Sequence, residues 1–241
     1  MAFLLALGGL ASEASAQADA LRDGLFRPKL GDGRRMTAPP VARYVTESGQ
    51  AFVLDRSTSR ALLKFENTYE IWALQAQAAP RGDVVYKNDI GETVLRATRL
   101  GGLTLFTDAR PGGSAAALSG QAIPLRLPVV GTQQLLERMA VASARASRAA
   151  RRLIPFDADA DPSSTAVFAD SAIITAETMV RVSRRPDGAR LLGKIKKVQL
   201  VQGSRASVLL ANDTIRITVA PGQGLAGRPS SDRIAYAVGV R

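Results

Sequence analysis

The fold is decided by the stretch EIWALQAQAAPRGDVVYKNDIGETVLRATRLGGLTLFT, residues 70–107. Short runs of apolar, β-branched and aromatic residues alternate in it with turn residues, as at Pro80-Arg81-Gly82 and Gly101-Gly102. Strand-sized runs separated by turns at a spacing of about ten residues are typical of an antiparallel meander. The pattern begins at residue 41, so we predict a β-meander domain over residues 41–107. Its predicted strands are 51–54, 61–65, 70–75, 84–87, 93–98 and 103–107.

The segment that follows, residues 108–131, is rich in Gly, Ala, Ser and Pro. This composition is typical of long connections. We therefore interpret 108–131 as a connection that separates the meander from a second domain.

Residues 132–241 predict an α+β domain. A helix over 132–154 has an apolar stripe of helical period and ends before Pro155. A second helix over 162–183, with Asp161 as its N-cap, is apolar around most of its surface, which predicts burial. Three strands follow at 196–201, 206–210 and 215–219, with hairpin turns at Gln202-Gly203 and Asn212-Asp213, and a last helix runs to 238.

The predicted fold class is therefore α+β: an N-terminal antiparallel β-meander, two central helices, and C-terminal antiparallel strands with a closing helix.

The N-terminus has the pattern of an export signal. Residues 1–10 are an apolar run, and Ala14-Ser15-Ala16 supplies the small residues that signal peptidase recognises. We predict a signal peptide over 1–16, cleavage between Ala16 and Gln17, a linker over 17–40, and a periplasmic location. No basic residue precedes Arg22, and the alternative is a buried N-terminal helix of a cytosolic protein. No apolar run reaches the ~20 residues of a transmembrane helix.

The chain is strongly basic. Its net charge is +11, and residues 1–16 contain one charged side chain, Glu13, so the chain from Gln17 onward carries +12. Such a charge favours contact with anionic partners, such as an envelope polymer or a lipid surface. Aromatic residues make up only 5% of the chain, which argues against stacking on nucleic acid. The alternative is an arginine-rich surface that has no particular partner.

Two groups of basic residues are candidates for an anion-binding patch. The arginines of the first helix fall within one sector beside its apolar stripe, and lysines cluster before the next strand. The alternative is a helix packed through its alanines, with its arginines extending into water. The candidate residues are Arg138, Arg145, Arg148, Arg152, Lys194, Lys196 and Lys197.

The absence of histidine and cysteine excludes several kinds of site. Ser-His-Asp and Cys-His nucleophilic sites, thiolate metal sites and disulfides all need residues that the chain lacks. The series Asp157-x-Asp159-x-Asp161 resembles the start of a calcium loop, but Pro162 stands where glycine is required. We therefore predict no metal site, no cofactor and no assigned catalytic residue.

Carboxylate chemistry remains open, because two acidic side chains suffice for glycoside hydrolysis. The spacing of the acidic residues selects no pair. The acids considered are Glu66, Glu70, Asp83, Asp89, Glu92, Asp170 and Glu177, of which Glu177 is expected to form a salt bridge within an apolar helix.

Three stretches carry a family resemblance: ENTYEIWALQAQAAPRGDVVYKNDIGETVLRATRLGGLTLFTDARPGG (Glu66–Gly113), SRRPDGARLLGKIKKVQL (Ser183–Leu200) and GLAGRPSSDRIAYAVG (Gly224–Gly239). They resemble an uncharacterised family of exported alphaproteobacterial proteins, a domain of unknown function. The resemblance implies export in a Gram-negative bacterium and brings no activity or functional residue. We interpret the motif Arg228-Pro229-Ser230-Ser231 as a helix start and Arg185-Pro186-Asp187-Gly188 as a tight turn.

Three functions follow as hypotheses. The first is an exported, non-enzymatic protein that binds an anionic envelope component or a protein partner. The second is a carboxylate-dependent hydrolase that acts on an envelope glycan. The third, nucleic-acid binding in the cytosol, requires that residues 1–16 are not a signal.

Overall fold

The computed structural model describes residues 39–240. The predicted signal peptide, its cleavage site between Ala16 and Gln17, and nearly all of the predicted linker 17–40 lie outside these residues.

Eight antiparallel strands form a closed barrel in chain order. The antiparallel meander predicted for residues 41–107 is present, but it is part of a barrel, because β1 also pairs with β8. The strands are β1 (Val41–Thr46), β2 (Ala51–Asp55), β3 (Ala61–Phe65), β4 (Ile71–Ala78), β5 (Val84–Lys87), β6 (Thr93–Ala97), β7 (Leu103–Thr107) and β8 (Arg110–Gln121).

The strand that closes the barrel lies in the segment whose composition indicates a connection, residues 108–131. Within 108–131, β8 pairs with β7 on one side and with β1 on the other. Its composition hides it, because Gly, Ala and Ser have low β-propensity. Glycine is nevertheless required at position 113, because φ is +86° there and a Cβ atom would lie only 2.6 Å from Thr104 Cγ2. Backbone pairing on both sides therefore outweighs local propensity.

The barrel interior is filled by side chains that alternate along each strand. An eight-stranded barrel is just wide enough for its inward side chains to fill the interior. Phe52, Leu63, Leu74 and Leu95 are fully buried there. Residues at the neighbouring positions of the same strands therefore face outward, which places Gln75 and Gln77 of β4 on the outer surface of the barrel.

The rest of the described chain forms a four-stranded sheet covered by helices. Its strand order is β11-β12-β10-β9. The elements are α1 (Thr132–Ala150), β9 (Phe156–Asp159), α2 (Thr165–Ser183), α3 (Gly188–Leu192), β10 (Lys197–Gln202), β11 (Ser207–Ala211), β12 (Thr214–Val219) and α4 (Ser231–Val238).

The prediction that these C-terminal strands are all antiparallel is wrong. β10 pairs in parallel with both β9 and β12, and only β11 and β12 are antiparallel. Asn212 and Asp213 both have positive φ and form the predicted hairpin turn between β11 and β12. Gln202-Gly203 forms no hairpin, because β12 lies between β10 and β11 in the sheet. The strand β9 is too short and polar for its sequence to reveal it.

The two predicted central helices are present and supply about half of the buried apolar side chains between the four-stranded sheet and its helices. α2 is buried along most of its length, as its apolar surface predicts, with Phe168, Ala172 and Ala176 fully buried. It begins at Thr165 with Ser164 as its N-cap, so Asp161 does not cap it. The closing helix α4 begins after Ser230, whose side chain accepts a hydrogen bond from Arg233 N. No helix in residues 39–240 is both long and apolar enough to cross a membrane.

Candidate functional site

A buried ionic cluster joins the barrel to the helices. The side chain of Arg228 is 2% exposed. Its Nε donates to Asp170 Oδ2 on α2, and its Nη1 lies 3.5 Å from Glu70 Oε1, just before β4. Its Nη2 donates to the carbonyl oxygen of Ile71 at 2.7 Å. We call Arg228, Glu70 and Asp170 the Arg228 cluster. One guanidinium thus connects three distant parts of the chain.

The residues that follow Arg228 extend this network. Ser231 N donates to Glu70 Oε1 at 2.8 Å, and Ser230 N donates to Asp89 Oδ2 at 2.8 Å. The Ser230 hydroxyl also lies 2.5 Å from Asp89 Oδ1. Carboxylates near the N-terminus of α4 are stabilised by its free N–H groups and by the helix dipole. The motif at 228–231 therefore starts a helix, as predicted, and also fixes two barrel loops to it.

A polar cleft lies beside this network, between the barrel and the α4 side of the protein. Its volume is about 250 Å³. Among its wall residues are Gln75 and Gln77 from the outer face of β4, Lys87 and Asp89 from the β5–β6 region, and Gln223 from the segment before α4. Three arginines complete its charged lining: Arg60, Arg205 and Arg233, with Arg228 behind them.

The cleft has an excess of positive charge that the protein itself does not neutralise. Within residues 39–240, the side chains of Arg60, Lys87 and Arg205 make no salt bridge or hydrogen bond. Arg233 donates only to the carbonyl oxygen of Asp89, at 2.7 Å. Asp89 is the only acidic residue in the described lining, and Ser230 occupies both of its carboxylate oxygens. An anion in the cleft would reduce this excess of positive charge.

An apolar groove lies on another side, between the β3–β4 loop and the helices. It consists of two cavities of about 490 and 550 Å³ that share Tyr69 and Glu177. Trp72 is half-buried here, and the centroid of its ring lies 5.9 Å from that of Phe65 in an edge-on arrangement. We call this the aromatic groove. Its other apolar wall residues include Val141 of α1 and Ile173, Ile174 and Val180 of α2.

Tyr69 stands between acidic and basic groups in this groove. Burial raises the pKa of its hydroxyl, and the negative charge of Asp170 raises it further, whereas Arg138 and Arg228 oppose the increase. The hydroxyl therefore stays protonated at neutral pH and remains a hydrogen-bond donor beside Arg138.

The seven predicted basic residues lie at several places in the structure, and their role in anion binding stays a prediction. Arg138 and Arg145 both line the aromatic groove, where Arg145 forms a salt bridge with Glu177. Arg148 is exposed near the end of α1. Arg152 is structural, because its guanidinium donates to the carbonyl oxygens of Leu192, Gly193 and Ile195.

The predicted lysines follow α3, and Arg152 contacts the carbonyl oxygens of the two residues that flank Lys194. Lys196 pairs with Asp213 at 2.6 Å, and Lys197 pairs with Asp157 at 3.1 Å. Lys194 lines a shallow surface cavity beside Arg190 and Gly239. None of the seven predicted residues lines the polar cleft.

Several of the acidic residues considered above form salt bridges within the fold. Glu70 and Asp170 come together, but both bind the Arg228 guanidinium and both are buried. Glu177 forms the expected salt bridge, with Arg145, and shares a cavity wall with Glu137. No group of three metal-ligating side chains occurs in residues 39–240. Asp157 and Asp159 belong to β9, so the calcium-like series is not a loop.

Sequence reasoning missed the residues of the polar cleft for a physical reason. Arg60, Lys87, Arg205 and Arg233 are far apart in the chain and belong to no local pattern. A usable signal existed for the Arg228 cluster. Asp170 lies in a helix predicted to be buried, and Arg228 lies in a stretch of small and apolar residues. Opposite charges in two buried segments must pair.

The comparisons place the chain in a domain family. A model of a domain of unknown function, DUF4908, matches residues 20–238, so the chain belongs to this family. No curated protein and no solved structure shows a significant match. The expected resemblance to an uncharacterised domain family is confirmed. Its restriction to exported alphaproteobacterial proteins stays a prediction.

Proposed function

We propose that this protein is an exported, periplasmic and non-enzymatic binding protein whose polar cleft holds the anionic group of an envelope saccharide. The observation that carries the proposal is the set of unpaired cations in the cleft. Arg60, Lys87 and Arg205 face a common space, and no described carboxylate neutralises them. Like charges held together repel one another, and a bound phosphate or carboxylate relieves this repulsion through charge-assisted hydrogen bonds.

The remaining lining favours a ligand that carries hydroxyl groups. Gln75 and Gln77 offer side-chain amides that have no partner in the described chain, and each amide both donates and accepts. The described lining contains no aromatic side chain on which a nucleic-acid base could stack. At about 250 Å³, the cleft is smaller than the ~300–1,000 Å³ of sites for drug-sized molecules. It therefore fits one charged sugar unit, either free or within a polymer.

The cleft does not support catalysis by paired carboxylates. Glycoside hydrolysis needs two acidic groups about 5–10 Å apart on either side of the bond. Asp89 is the only carboxylate among the described residues that line the cleft, and both of its oxygens already contact Ser230. The hydrolase hypothesis now depends on Glu137 and Glu177 in the aromatic groove, where Arg145 already pairs with Glu177.

Export is proposed from the sequence. The apolar run and Ala14-Ser15-Ala16 have the composition of a cleavable signal, and a chain without cysteine needs no disulfide in an oxidising compartment. A periplasmic location would expose the cleft to phosphorylated and uronic saccharides of the envelope.

The test is a calorimetric titration at low ionic strength with glucose 6-phosphate, glucuronate, inorganic phosphate and glucose. We expect saturable binding of one or both anionic sugars, weaker binding of phosphate, and no binding of glucose. The variant Arg60→Gln/Lys87→Gln/Arg205→Gln should lose at least about tenfold in affinity, because each lost charge-assisted contact is worth more than a kcal/mol.

The matched control is Arg110→Gln/Arg216→Gln/Lys64→Gln, which removes the same number of arginines and lysines at positions that neither line the cleft nor belong to the predicted basic patch. It should bind like the wild type. Equal losses in both triple variants would mean that net charge, and not the cleft, governs binding. Such a result, or an absence of binding by both anionic sugars, would overturn the proposal.

A further inference from the structure

The aromatic groove exposes apolar surface that proteins ordinarily bury. Tyr69 is 51% exposed and Val141 is 57% exposed. Tyr69 shares the first cavity with half-buried Trp72, and it shares the second with Val141 and half-buried Ile173. A contiguous exposed apolar surface with a polar rim marks an interaction site. The two cavities of the groove share Tyr69 and Glu177, so one extended occupant can contact both.

Arginines stand on the walls of both cavities. Arg181 and Arg184 line the first cavity, and Arg138 and Arg145 line the second. Arg145 and Arg181 form exposed salt bridges, with Glu177 and Asp232 respectively. Arg138 and Arg184 have no side-chain partner among the described residues. Glu137, which accepts a hydrogen bond from Gln133, also lines the second cavity. The groove therefore combines an apolar floor with acidic residues and with two arginines that form no ion pair with them.

Arg138 is the best placed of these cations to bind an anionic head group. It is half-buried on α1, where part of its water shell is already lost. Arg138 and Tyr69 both line the second cavity, and the Tyr69 hydroxyl is a hydrogen-bond donor. A carboxylate can accept hydrogen bonds from both groups while its hydrocarbon chain covers Trp72 and the apolar side chains of α2.

We infer that the aromatic groove binds a single-chain anionic amphiphile, a long-chain fatty acid or a lipid of the same chemistry. The apolar walls of the two cavities would contact the hydrocarbon chain, and Arg138 and Tyr69 would contact the head group. This site is separate from the polar cleft and does not depend on what the cleft binds, because none of its residues lines that cleft.

The single tryptophan makes the inference directly testable. Trp72 is the only tryptophan in the chain and it lines the groove, so its fluorescence reports on this site alone. The probe is 9,10-dibromostearate, whose bromine atoms quench tryptophan on contact, used below its micellar concentration. We expect saturable quenching that unbrominated stearate reverses by competition. The methyl ester of the same acid should bind about tenfold more weakly, because it lacks the charge.

Two variants separate head-group recognition from general hydrophobic binding. Arg138→Gln should weaken dibromostearate about tenfold and leave the methyl ester unchanged. Arg110→Gln removes an exposed arginine outside the groove and should change neither. Circular dichroism melts confirm that both variants are folded.

Three results would overturn the inference. The first is an absence of saturable quenching. The second is quenching that is equal for the acid and the ester and unaffected by Arg138→Gln, which would mean non-specific adsorption. The third is concentration-dependent dimerisation that shields Trp72 from acrylamide, which would assign the groove to a second copy of the chain.

Discussion

Replacing Arg228 by methionine should destabilise the whole protein, because the change leaves two buried carboxylates without a counter-charge. Methionine keeps much of the length and volume of the arginine side chain, so the perturbation is mainly electrostatic. Glu70 retains one hydrogen bond, from Ser231 N, and Asp170 loses its arginine partner. The carbonyl oxygen of Ile71 also loses a donor.

The expected loss is about 3–5 kcal/mol of unfolding free energy, the range observed when one partner of a buried ion pair is removed. The side chains of Arg228, Glu70 and Asp170 are only 2%, 10% and 8% exposed, so water cannot replace the lost contacts. Because a typical domain is stable by about 5–15 kcal/mol, the effect is a large part of the total.

The assay is equilibrium unfolding in urea, followed by circular dichroism, for the wild type, Arg228→Met, Asp170→Met and the double variant. Removing both charges of the Asp170–Arg228 pair leaves less uncompensated charge than removing Arg228 alone. The double variant should therefore be more stable than Arg228→Met.

Two results would refute this reasoning. A loss below about 1 kcal/mol in Arg228→Met would mean that the cluster is solvated and does not hold the barrel against the helices. A double variant with a loss equal to the sum of the single losses would mean that Arg228 and Asp170 do not interact.

Two further predictions concern the barrel and the N-terminus. Burial raises the pKa of Asp55, but hydrogen bonds from Ser57 and from Leu125 N outweigh it and hold the pKa below its usual value. Asp55 thus stabilises the fold above the pKa of the unfolded chain, about 3.9. Asp55→Asn should lower the free energy of unfolding by about 1–3 kcal/mol at neutral pH, measured by urea unfolding against the wild type. The difference between the two proteins should shrink as the pH falls toward about 2, and a difference that grows toward acid would contradict this. Cells that express the full chain should yield a periplasmic product whose intact mass begins at Gln17, and an uncleaved cytosolic product would contradict export.

The local sequence pattern predicts most strands of the barrel but not its closure. Six strands of the meander were predictable because each combines apolar or β-branched residues with a turn at either end, as in Leu103–Thr107 after Gly101-Gly102. Closure was not predictable, because it depends on β8, whose small residues indicate a connection. The hydrogen bonds that make β8 a strand come from β1 and β7, and β1 lies more than sixty positions away in the chain.

The candidate sites show the same limit. Helical spacing correctly placed Arg138 and Arg145 beside apolar side chains, since they lie on one face of a single helix. The helix pattern could not show that Arg152 turns toward the carbonyl oxygens after α3. The polar cleft was beyond local reasoning, because Arg60 and Arg205 come together only when the barrel meets the segments around α4.

The most direct test of the proposed function is a crystal structure of the protein grown with glucose 6-phosphate. The proposal predicts the sugar phosphate in the polar cleft, with its phosphate oxygens within hydrogen-bond distance of at least two of Arg60, Lys87 and Arg205. Its hydroxyl groups should contact Gln75 or Gln77. An empty cleft, with the sugar phosphate absent or bound only at other surface arginines, would contradict the proposal.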